Sequence, residues 1–464
     1  MAPSIALVSF LPDAGHVRPL LRIAEAFSRR GYDIVCYLPK ECETYLHGYR
    51  FRFVSLDVTP PVATEDEHKN TLRALSHRSI FYNAFSRYVD MSAGVWQPLA
   101  RRFATRLPFL RARLARQQPL FLLCDDHVFL PWYLRLSRDM ATPVVFHTFE
   151  GHRHCQDVYV QIYGITTLPR PRQVLVESLG WVSKRLHGVR RRLRRLALED
   201  LDETLERAAA ALTDIDDDLR PAPPPISIST GCGYLETRYL SSRLRISDAR
   251  RVFGPLRCQA ASPLSSQLRE WLAARDEPVV YVSFGSMIHV DSDLVDAILT
   301  GVTRLNLRVL WSMPASQQGE VLPELDVPLS VRFETFVPPL EVLTFPSVRC
   351  GINHGGAGSV QDCLLSGKPM LCIPFMWDQP FNASVISHLE AGTVLWPRQV
   401  SAHTIATAVD SLVYDSRFSL RTSHLARVLH DTGAEADVVT YILTHPSVSA
   451  RRHVPSDVDV DIIA

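Results

Sequence analysis

Short apolar runs alternate with amphipathic helical segments along both halves of the chain. The first helical segment, Pro19–Arg30, repeats its apolar residues at helical spacing. Such alternation is typical of parallel sheets covered by helices, so it predicts an α/β fold. The predicted strands are Ile5–Leu11, Asp33–Leu38, Phe51–Leu56, Leu120–Cys124, Pro143–His147, Pro278–Ser283, Leu307–Trp311, Val331–Phe336, Val348–Ile352 and Met370–Ile373.

The chain is too long for one ordinary hydrophobic core. At 464 residues it exceeds the size at which chains divide into domains. The strand series stops before a proline-rich break at Pro221–Pro225 and then resumes, which predicts two domains. The predicted boundaries are 1–242 for the N-terminal domain, 243–262 for a linker, 263–445 for the C-terminal domain and 446–464 for a disordered tail.

Composition and charge argue against several classes of protein. The formal net charge of +1 gives no reason to expect a nucleic-acid partner. No apolar run approaches the roughly 20 residues of a membrane span, and the N-terminus lacks a signal-peptide pattern. The nine cysteines form no Cys-x-x-Cys pair, which favours reduced thiols. We therefore expect a cytoplasmic protein.

A glycine-rich turn is the strongest candidate site in the sequence. The predicted strand Val348–Ile352 runs into this turn, and a helical pattern follows directly. Backbone N–H groups and the positive end of a helix meet there, which suits a phosphate or diphosphate. Asp378 and Gln379 open the next helix with a carboxylate and an amide, which suit sugar hydroxyls. Together these features predict a nucleotide-sugar site, and the turn is His354-Gly355-Gly356-Ala357-Gly358-Ser359.

Two more strand ends contribute to the same predicted site. The run Ser283–Ser286 closes a strand with small residues, where a backbone can approach a ligand closely. Phe336 ends the predicted strand that comes just before the strand leading into the glycine turn, and its ring offers an aromatic face to a nucleobase. A core position is the alternative for this phenylalanine.

A histidine and a pair of carboxylates form the candidate catalytic group of the N-terminal half. His16 follows the first predicted strand, in a loop before the helix at Pro19, and an imidazole with a pKa of about 6.5 suits a general base. An ordinary surface or core position is the alternative for this single histidine. Strand Leu120–Cys124 ends in Asp125 and Asp126, one of which can orient the histidine. Successive strand residues point to opposite faces, so only one of them reaches it. We favour Asp125, with Asp126 as the alternative partner, and a helix N-cap as the other role for either.

Two other features carry weaker signals. The His, Cys and Asp clusters at 124–127 and 152–155 lack the spacing of a zinc site, so no metal site is predicted. The basic segment Arg185–Arg195 has apolar residues at helical spacing, which is compatible with peripheral contact to an anionic membrane. Acidic residues follow it at once and favour a solvated helix instead.

The ordered set of motifs resembles that of family 1 glycosyltransferases, the nucleotide-sugar-dependent enzymes of GT-B fold. The resemblance runs from Glu270-Trp271-Leu272 through Val280–Ser286 to Asp378-Gln379, and Phe10–Pro19 resembles the family's catalytic-histidine loop. It implies two Rossmann-like domains with parallel sheets facing across a cleft. The N-terminal domain would bind the acceptor and the C-terminal domain the donor. UDP-glycosyltransferase-like enzymes of bacterial natural-product type are the subgroup it suggests.

The resemblance also implies a role for each donor-site residue. Phe336 falls where an aromatic residue stacks on the base, and Asp362 where a glutamate binds the ribose hydroxyls. Asp362 is one methylene shorter, and Pro339 replaces the glutamine of the family's W-x-P-Q, so the preferred nucleotide stays open. The implied donor-binding residues are Ser286, Phe336, His354, Gly356, Gly358, Ser359, Asp362, Asp378 and Gln379.

The activity that the resemblance implies is inverting sugar transfer without a metal or cofactor. The donor would be a UDP- or TDP-linked sugar, and the acceptor a hydroxyl of a small molecule, namely a natural product, with His16 as the base. One alternative is a GT-B nucleotide-sugar epimerase, which needs no acceptor. Another is a non-catalytic activator of a partner enzyme, in which the histidine or the glycine turn would be expected to be lost.

Overall fold

A computed structural model describes most of both predicted domains. The described residues are 2–12, 14–57, 102–125, 129–147, 225–231, 235, 250–256, 263–285, 288–375 and 378–452. They form two sheets in which every strand pair is parallel, so the predicted α/β fold is confirmed.

The first sheet has seven strands in the order β3-β2-β1-β4-β5-β6-β7. Three helices with assigned bounds connect its described strands. The strands are β1 Ser4–Val8, β2 Asp33–Leu38, β3 Arg52–Ser55, β4 Leu122–Asp125, β5 Val144–His147, β6 Ile226–Thr230 and β7 Arg250–Phe253. The helices are α1 Ala14–Ser28, α2 Leu107–Gln117 and α3 Leu130–Asp139, and Lys40–Leu46 forms a 3-10 helix.

The second sheet has six strands in the order β10-β9-β8-β11-β12-β13, the strand order of a dinucleotide-binding Rossmann sheet. The strands are β8 Val279–Ser283, β9 Arg308–Ser312, β10 Val331–Glu334, β11 Val348–Asn353, β12 Met370–Cys372 and β13 Gly392–Val394. The helices are α4 Ser266–Ala273, α5 Ser292–Thr303, α6 Ala315–Val321, α7 Pro339–Leu343, α8 Ala357–Leu365, α9 Gln379–His388, α10 Ala402–Tyr414, α11 Ser416–His430, α12 Ala434–Thr444 and α13 Pro446–Arg452.

Both faces of each sheet are covered, because strand residues alternate between two apolar layers. In β1, Ala6 and Val8 pack on the side of α2 and α3, whereas Ile5 and Leu7 pack on the side of α1. In β8 the same alternation packs one set of residues against α5 and α10 and the other against α4, α8 and α11. Fully buried strands explain why the sequence reads as continuous apolar runs at these positions.

The chain end returns to the first domain. Helix α12 packs on α1 and β7, and Val438 and Val439 are buried in the apolar layer that α1 covers. The sequence predicts disorder from Pro446, but Pro446–Arg452 forms a helix, because Val448 is buried and Arg451 donates a hydrogen bond to the Ala141 carbonyl at 2.7 Å. Strand β7 lies inside the predicted linker 243–262 and pairs with β6. The domain boundaries themselves stay a prediction.

Candidate active site

The predicted site residues lie at the carboxyl edges of both sheets. In the first sheet β1 is the neighbour of β4, and in the second β8 is the neighbour of β11, so each sheet has a topological switch point there. Ligands of open α/β sheets bind in the crevice beyond such a point. His16 follows β1 and Asp125 ends β4, whereas Ser283 ends β8 and His354 follows β11. Each half of the predicted site therefore lies at the switch point of its own sheet.

His16 lies in the first turn of a helix and not in a loop. Helix α1 begins at Ala14, earlier than the start that the sequence predicts at Pro19. A proline inside a helix removes one backbone hydrogen bond, and here the buried residues Val17 and Leu20 hold the turns on either side of it. The helix therefore gives His16 a fixed position relative to the rest of α1.

Asp125 is the carboxylate that reaches His16. The His16 Nδ1 and Asp125 Oδ2 atoms are 3.4 Å apart, and Asp125 is fully buried. Tyr133 donates its O–H to Asp125 Oδ1 at 3.0 Å and accepts the Phe10 N–H at 3.3 Å. The alternative partner, Asp126, lies outside the described residues.

This buried network favours one tautomer of the histidine. Burial and the adjacent Asp125 raise the pKa of Tyr133 well above its ordinary value, so its hydroxyl stays protonated and donates. A carboxylate facing Nδ1 of His16 holds a proton on that nitrogen and leaves Nε2 as the proton acceptor. The arrangement is that of an oriented general base.

His354 is clamped between two glycines of the C-terminal half. A Cβ on Gly356 would lie 2.4 Å from His354 Nε2, and one on Gly285 would lie 3.0 Å from His354 Cε1. Gly285 also has a φ of 70°, a conformation that favours glycine. Burial lowers the pKa of His354 to about 4, outweighing a hydrogen bond with the Ser283 backbone that acts in the opposite direction. The imidazole is therefore neutral near pH 7.

The helix after this turn presents an open N-terminus. Helix α8 has Gly356 as its N-cap, and no side chain among the described residues caps it. The first N–H groups of a helix have no intrahelical acceptor and lie at the positive end of its dipole. Gly358 is exposed, and the space around the position of a Cβ is open to 4 Å. Ser359, in the same turn, lines a small pocket together with Ser283 and Asp362. This geometry suits phosphate oxygens.

Two asparagines hold the glycine turn in place. Asn353 Oδ1 accepts the Gly355 N–H at 2.8 Å, and Asn382 Nδ2 donates to the Gly355 carbonyl at 2.8 Å. Asn382 also donates to Asp378 Oδ2 at 2.8 Å, which orients that carboxylate. No role for either asparagine is predicted from the sequence. The available signal is the spacing of Asn382, which follows Asp378 by one helical turn.

Gln379 is less open to a ligand than the sequence suggests. Gln379 is only 2% exposed, and its Oε1 accepts the Phe375 N–H at 2.9 Å. This oxygen therefore holds the segment before α9. Asp378 keeps partial exposure and is the better candidate of the pair for a sugar hydroxyl.

Helix α1 reaches across the cleft to the predicted nucleoside residues. Arg22 Nη2 is 3.6 Å from Asp362 Oδ1, and the Arg18 guanidinium lies 5.3 Å from the centroid of the Phe336 ring. Burial raises the pKa of Asp362, while Arg22 and Arg18 act against that rise. Phe336 is 57% exposed, which argues against the core role that was its alternative. No role for either arginine is predicted from the sequence, because their partners lie more than three hundred positions away in the chain.

Other predicted features fall outside the part of the chain that the structure describes. Among these are Ser286, the basic segment Arg185–Arg195 and residues 453–464 of the predicted tail. Within the described ranges, no three His, Cys, Asp or Glu side chains are grouped so that they could hold a metal ion. No helix of those same ranges is long and apolar enough to cross a membrane.

Comparison with known sequences relates the C-terminal half to one family. Residues 246–441 match the family described as UDP-glucoronosyl and UDP-glucosyl transferase. UDP-glucuronosyltransferase 2B28 of Homo sapiens is 27% identical over 180 residues, which are 38% of this chain and 33% of that protein. UDP-glycosyltransferase UGT4 of Dactylopius coccus is 30% identical over 175 residues, 37% of this chain and 33% of that protein. The chain thus spans about a third of the length of the curated relatives it matches.

Comparison with solved structures extends the likeness to nearly the whole chain. The spinosyn forosaminyltransferase SpnP has a TM-score of 0.63 at 16% identity, over 95% of this chain and 98% of its own. The glycosyltransferase VinC in complex with dTDP has a TM-score of 0.62 at 14% identity, over 97% of this chain and all of its own. At these identities the likeness shows the fold, which is two Rossmann-like halves of the GT-B type.

Proposed function

We propose that this protein is a glycosyltransferase, because residues 246–441 match the UDP-glucoronosyl and UDP-glucosyl transferase family and the chain has the GT-B fold. It takes a sugar from a nucleoside diphosphate and transfers it to a hydroxyl of a small molecule. The observation that carries the proposal is the position of α1. This helix holds His16 beside Asp125 and contacts Asp362 across the cleft, so a base faces the donor site.

The donor is held by the second domain. Its base stacks on the exposed ring of Phe336, and its ribose contacts Asp362. Its diphosphate lies on the α8 N-terminus and the open space at Gly358, where helix N–H groups point at the ligand. Its sugar lies near Asp378, which Asn382 orients. A UDP- or TDP-linked sugar meets all four requirements.

His16 removes the proton of the acceptor. Its Nε2 takes the hydroxyl proton while the oxygen attacks the anomeric carbon, and the carbon–oxygen bond to the diphosphate breaks with inversion. The resulting imidazolium is stabilised by Asp125, which is buried and held by Tyr133. The nucleoside diphosphate leaves with the electron pair of the broken bond, so the proton ends on His16 and the negative charge on the leaving group.

The turn from His354 to Ser359 stabilises that leaving group. Negative charge builds on the diphosphate in the transition state, and the preorganised N–H donors at the N-terminus of α8 face that charge. His354 is neutral near pH 7 because burial lowers its pKa to about 4, so it adds a hydrogen-bonding group without a second charge. Such a site neutralises the leaving group without calling for a metal ion.

The acceptor is a natural product bound by the first domain. The support is the kind of protein that shares this fold over nearly its whole length. SpnP is named a spinosyn forosaminyltransferase, and CalG4, with a TM-score of 0.58 at 16% identity, is named a calicheamicin glycosyltransferase. Both names pair a sugar transferase with a named compound, spinosyn or calicheamicin.

Replacing His16 tests the proposal directly. A panel of UDP- and dTDP-sugars is first screened with hydroxylated natural products by mass spectrometry, and the active pair is then used for kinetics. His16→Ala should lower kcat by ~10²–10⁴-fold, the range of a lost general base, while UDP or dTDP binding by calorimetry stays within about threefold. His403→Ala, an exposed histidine on α10, is the matched control and should keep wild-type activity.

Full transfer by the His16→Ala enzyme would refute the assignment of the base. Incubation of the donor without acceptor separates the alternatives. Conversion of the nucleotide sugar into its epimer would favour an epimerase, whereas an unchanged donor in the absence of acceptor supports transfer. A chain that binds no nucleotide and turns over no donor would fit a non-catalytic partner. Such a partner would not require the His16–Asp125 pair.

A further inference from the structure

We propose that Arg22 is a specificity-determining residue of the donor site. Its ion pair with Asp362 leaves that carboxylate one oxygen for the nucleoside, so the site binds 2′-deoxyribonucleotides as well as ribonucleotides. This inference rests on the proposed function, because it takes Asp362 as the contact to the sugar of the nucleoside.

The two oxygens of Asp362 have different surroundings. Oδ1 is shielded from solvent, and Arg22 Nη2 lies 3.6 Å from it as its ion-pair partner. Both side chains of the pair are buried for the most part, at 17% and 10% exposure. The same carboxylate lines a small pocket with Ser283, Asn353 and Ser359. Oδ2 is therefore the oxygen that remains for a ligand.

The number of available oxygens decides which nucleoside is preferred. A ribose presents two neighbouring hydroxyls, and a carboxylate with both oxygens available accepts a hydrogen bond from each. With Oδ1 facing Arg22, Asp362 accepts from one hydroxyl only. A 2′-deoxyribose still supplies that one hydroxyl, at the 3′ position. The 2′-hydroxyl of a ribonucleotide then adds nothing at this residue.

Arg22 is held in this position by the helix that carries it. Arg18 lies one turn earlier on the same face of α1, and its guanidinium packs over the rings of Tyr45 at 5.6 Å and Phe336 at 5.3 Å. Two arginines on one face of α1 therefore contact two residues of the proposed donor site, Phe336 and Asp362. The Arg22–Asp362 pair is part of the wall of the cleft, fixed by α1 before a ligand arrives.

Charge explains why the pair persists beside a diphosphate site. Asp362 is buried and would by itself repel an anionic donor, and burial raises its pKa. Arg22 supplies the compensating positive charge, and Arg18 adds to it from the same helix. Loss of Arg22 would leave a buried carboxylate with an oxygen newly open to the cleft.

The test compares two ligands that differ by one hydroxyl. UDP and 2′-deoxyuridine diphosphate are titrated by calorimetry at about pH 8, where a carboxylate is ionised even when its pKa is raised. For the wild type we expect an advantage of UDP below about threefold. Arg22→Gln should raise that advantage about tenfold, the effect of one hydrogen bond to a charged group. The double variant Arg22→Gln with Asp362→Asn should lose the added preference, because the effect passes through the carboxylate.

Arg29→Gln is the matched control. It removes the same charge from the residue that directly follows α1, but its ion pair is with Glu435 of α12 at 2.8 Å. Thermal melting checks that all variants fold. A wild-type advantage of UDP above about threefold would overturn the inference, as would an unchanged ratio in Arg22→Gln or a raised ratio that survives in the double variant. If the wild type binds neither nucleotide, the proposed function fails as well, so the two failures are distinguishable.

Discussion

Replacing Asp125 by asparagine isolates the electrostatic part of the proposed base. The side chain keeps its shape, and its carbonyl oxygen can still accept the Tyr133 hydroxyl that now donates to Oδ1 at 3.0 Å. The group that faces His16 Nδ1, now 3.4 Å from a carboxylate oxygen, becomes an amide N–H₂. An amide donor cannot accept the Nδ1 proton, so the histidine shifts to the tautomer protonated on Nε2. That tautomer cannot take a proton from an acceptor hydroxyl at Nε2.

The expected magnitude follows from the two roles that Asp125 loses. Losing the correct tautomer and the stabilised imidazolium should lower kcat by ~10²–10⁴-fold, which is ~3–5 kcal/mol of transition-state stabilisation. The effect on folding should be smaller, because Tyr133 keeps an acceptor and the volume is unchanged. We expect a loss of about 1–2 kcal/mol in the free energy of unfolding. Catalysis and stability should therefore separate clearly in this variant.

Three measurements are made on the same preparation: steady-state kcat, donor binding by calorimetry, and urea unfolding. The matched control is Asp139→Asn, another carboxylate that is largely buried in the first domain, paired with Arg135 at 3.2 Å on α3. It should change stability without a comparable change in kcat. An Asp125→Asn enzyme that folds and keeps kcat within about threefold of wild type would refute the reasoning.

Two more predictions concern the glycine turn. Gly356→Ala should weaken nucleoside diphosphate binding about tenfold or more, because the added Cβ would lie 2.4 Å from His354 Nε2 and displace the ring. Gly358→Ala should leave the unfolding free energy of the apoprotein within about 1 kcal/mol of the wild type, because a Cβ there meets open space. Equal stability and equal affinity of the two variants would contradict this prediction. The pKa of His354 is lowered to about 4, so its contribution to stability is present above pH 6.5 and is lost as the pH falls towards 4. Between pH 7 and 4.5 the wild type should therefore lose about 2 kcal/mol more unfolding free energy than His354→Gln in parallel denaturant titrations, and parallel pH curves would argue against a lowered pKa of this histidine.

Most of the fold could be predicted from the sequence, since fully buried parallel strands appear as apolar runs. The strands that escaped prediction are short or partly polar. Strand β6 alternates isoleucine with serine after a proline-rich segment, and β13 has three residues. Strand β7 lies in a segment that composition marks as a linker, and only pairing with β6 makes it part of the sheet. Such strands depend on neighbours that the local sequence does not specify.

The candidate site divides along the same line. The glycine turn could be predicted because its strand, glycines and helix N-terminus follow one another in the chain. Strand alternation indicates that only one of Asp125 and Asp126 reaches the histidine, but it does not decide which. The contact of Asp125 with His16 depends on β1 and β4 becoming neighbours, with β2 and β3 between them in the chain. The pairing of Arg22 with Asp362 had no local signal at all.

The sequence by itself determined the two parallel sheets and the glycine turn. The physical reason is that burial of strands and exposure of helix-end N–H groups depend on residues adjacent in the chain. Only the tertiary structure decided how α1 meets the second domain, which sets Arg18 on Phe336 and Arg22 on Asp362. These contacts join residues of different domains, and their energies depend on distance and burial. Neither quantity exists until both sheets have folded and packed.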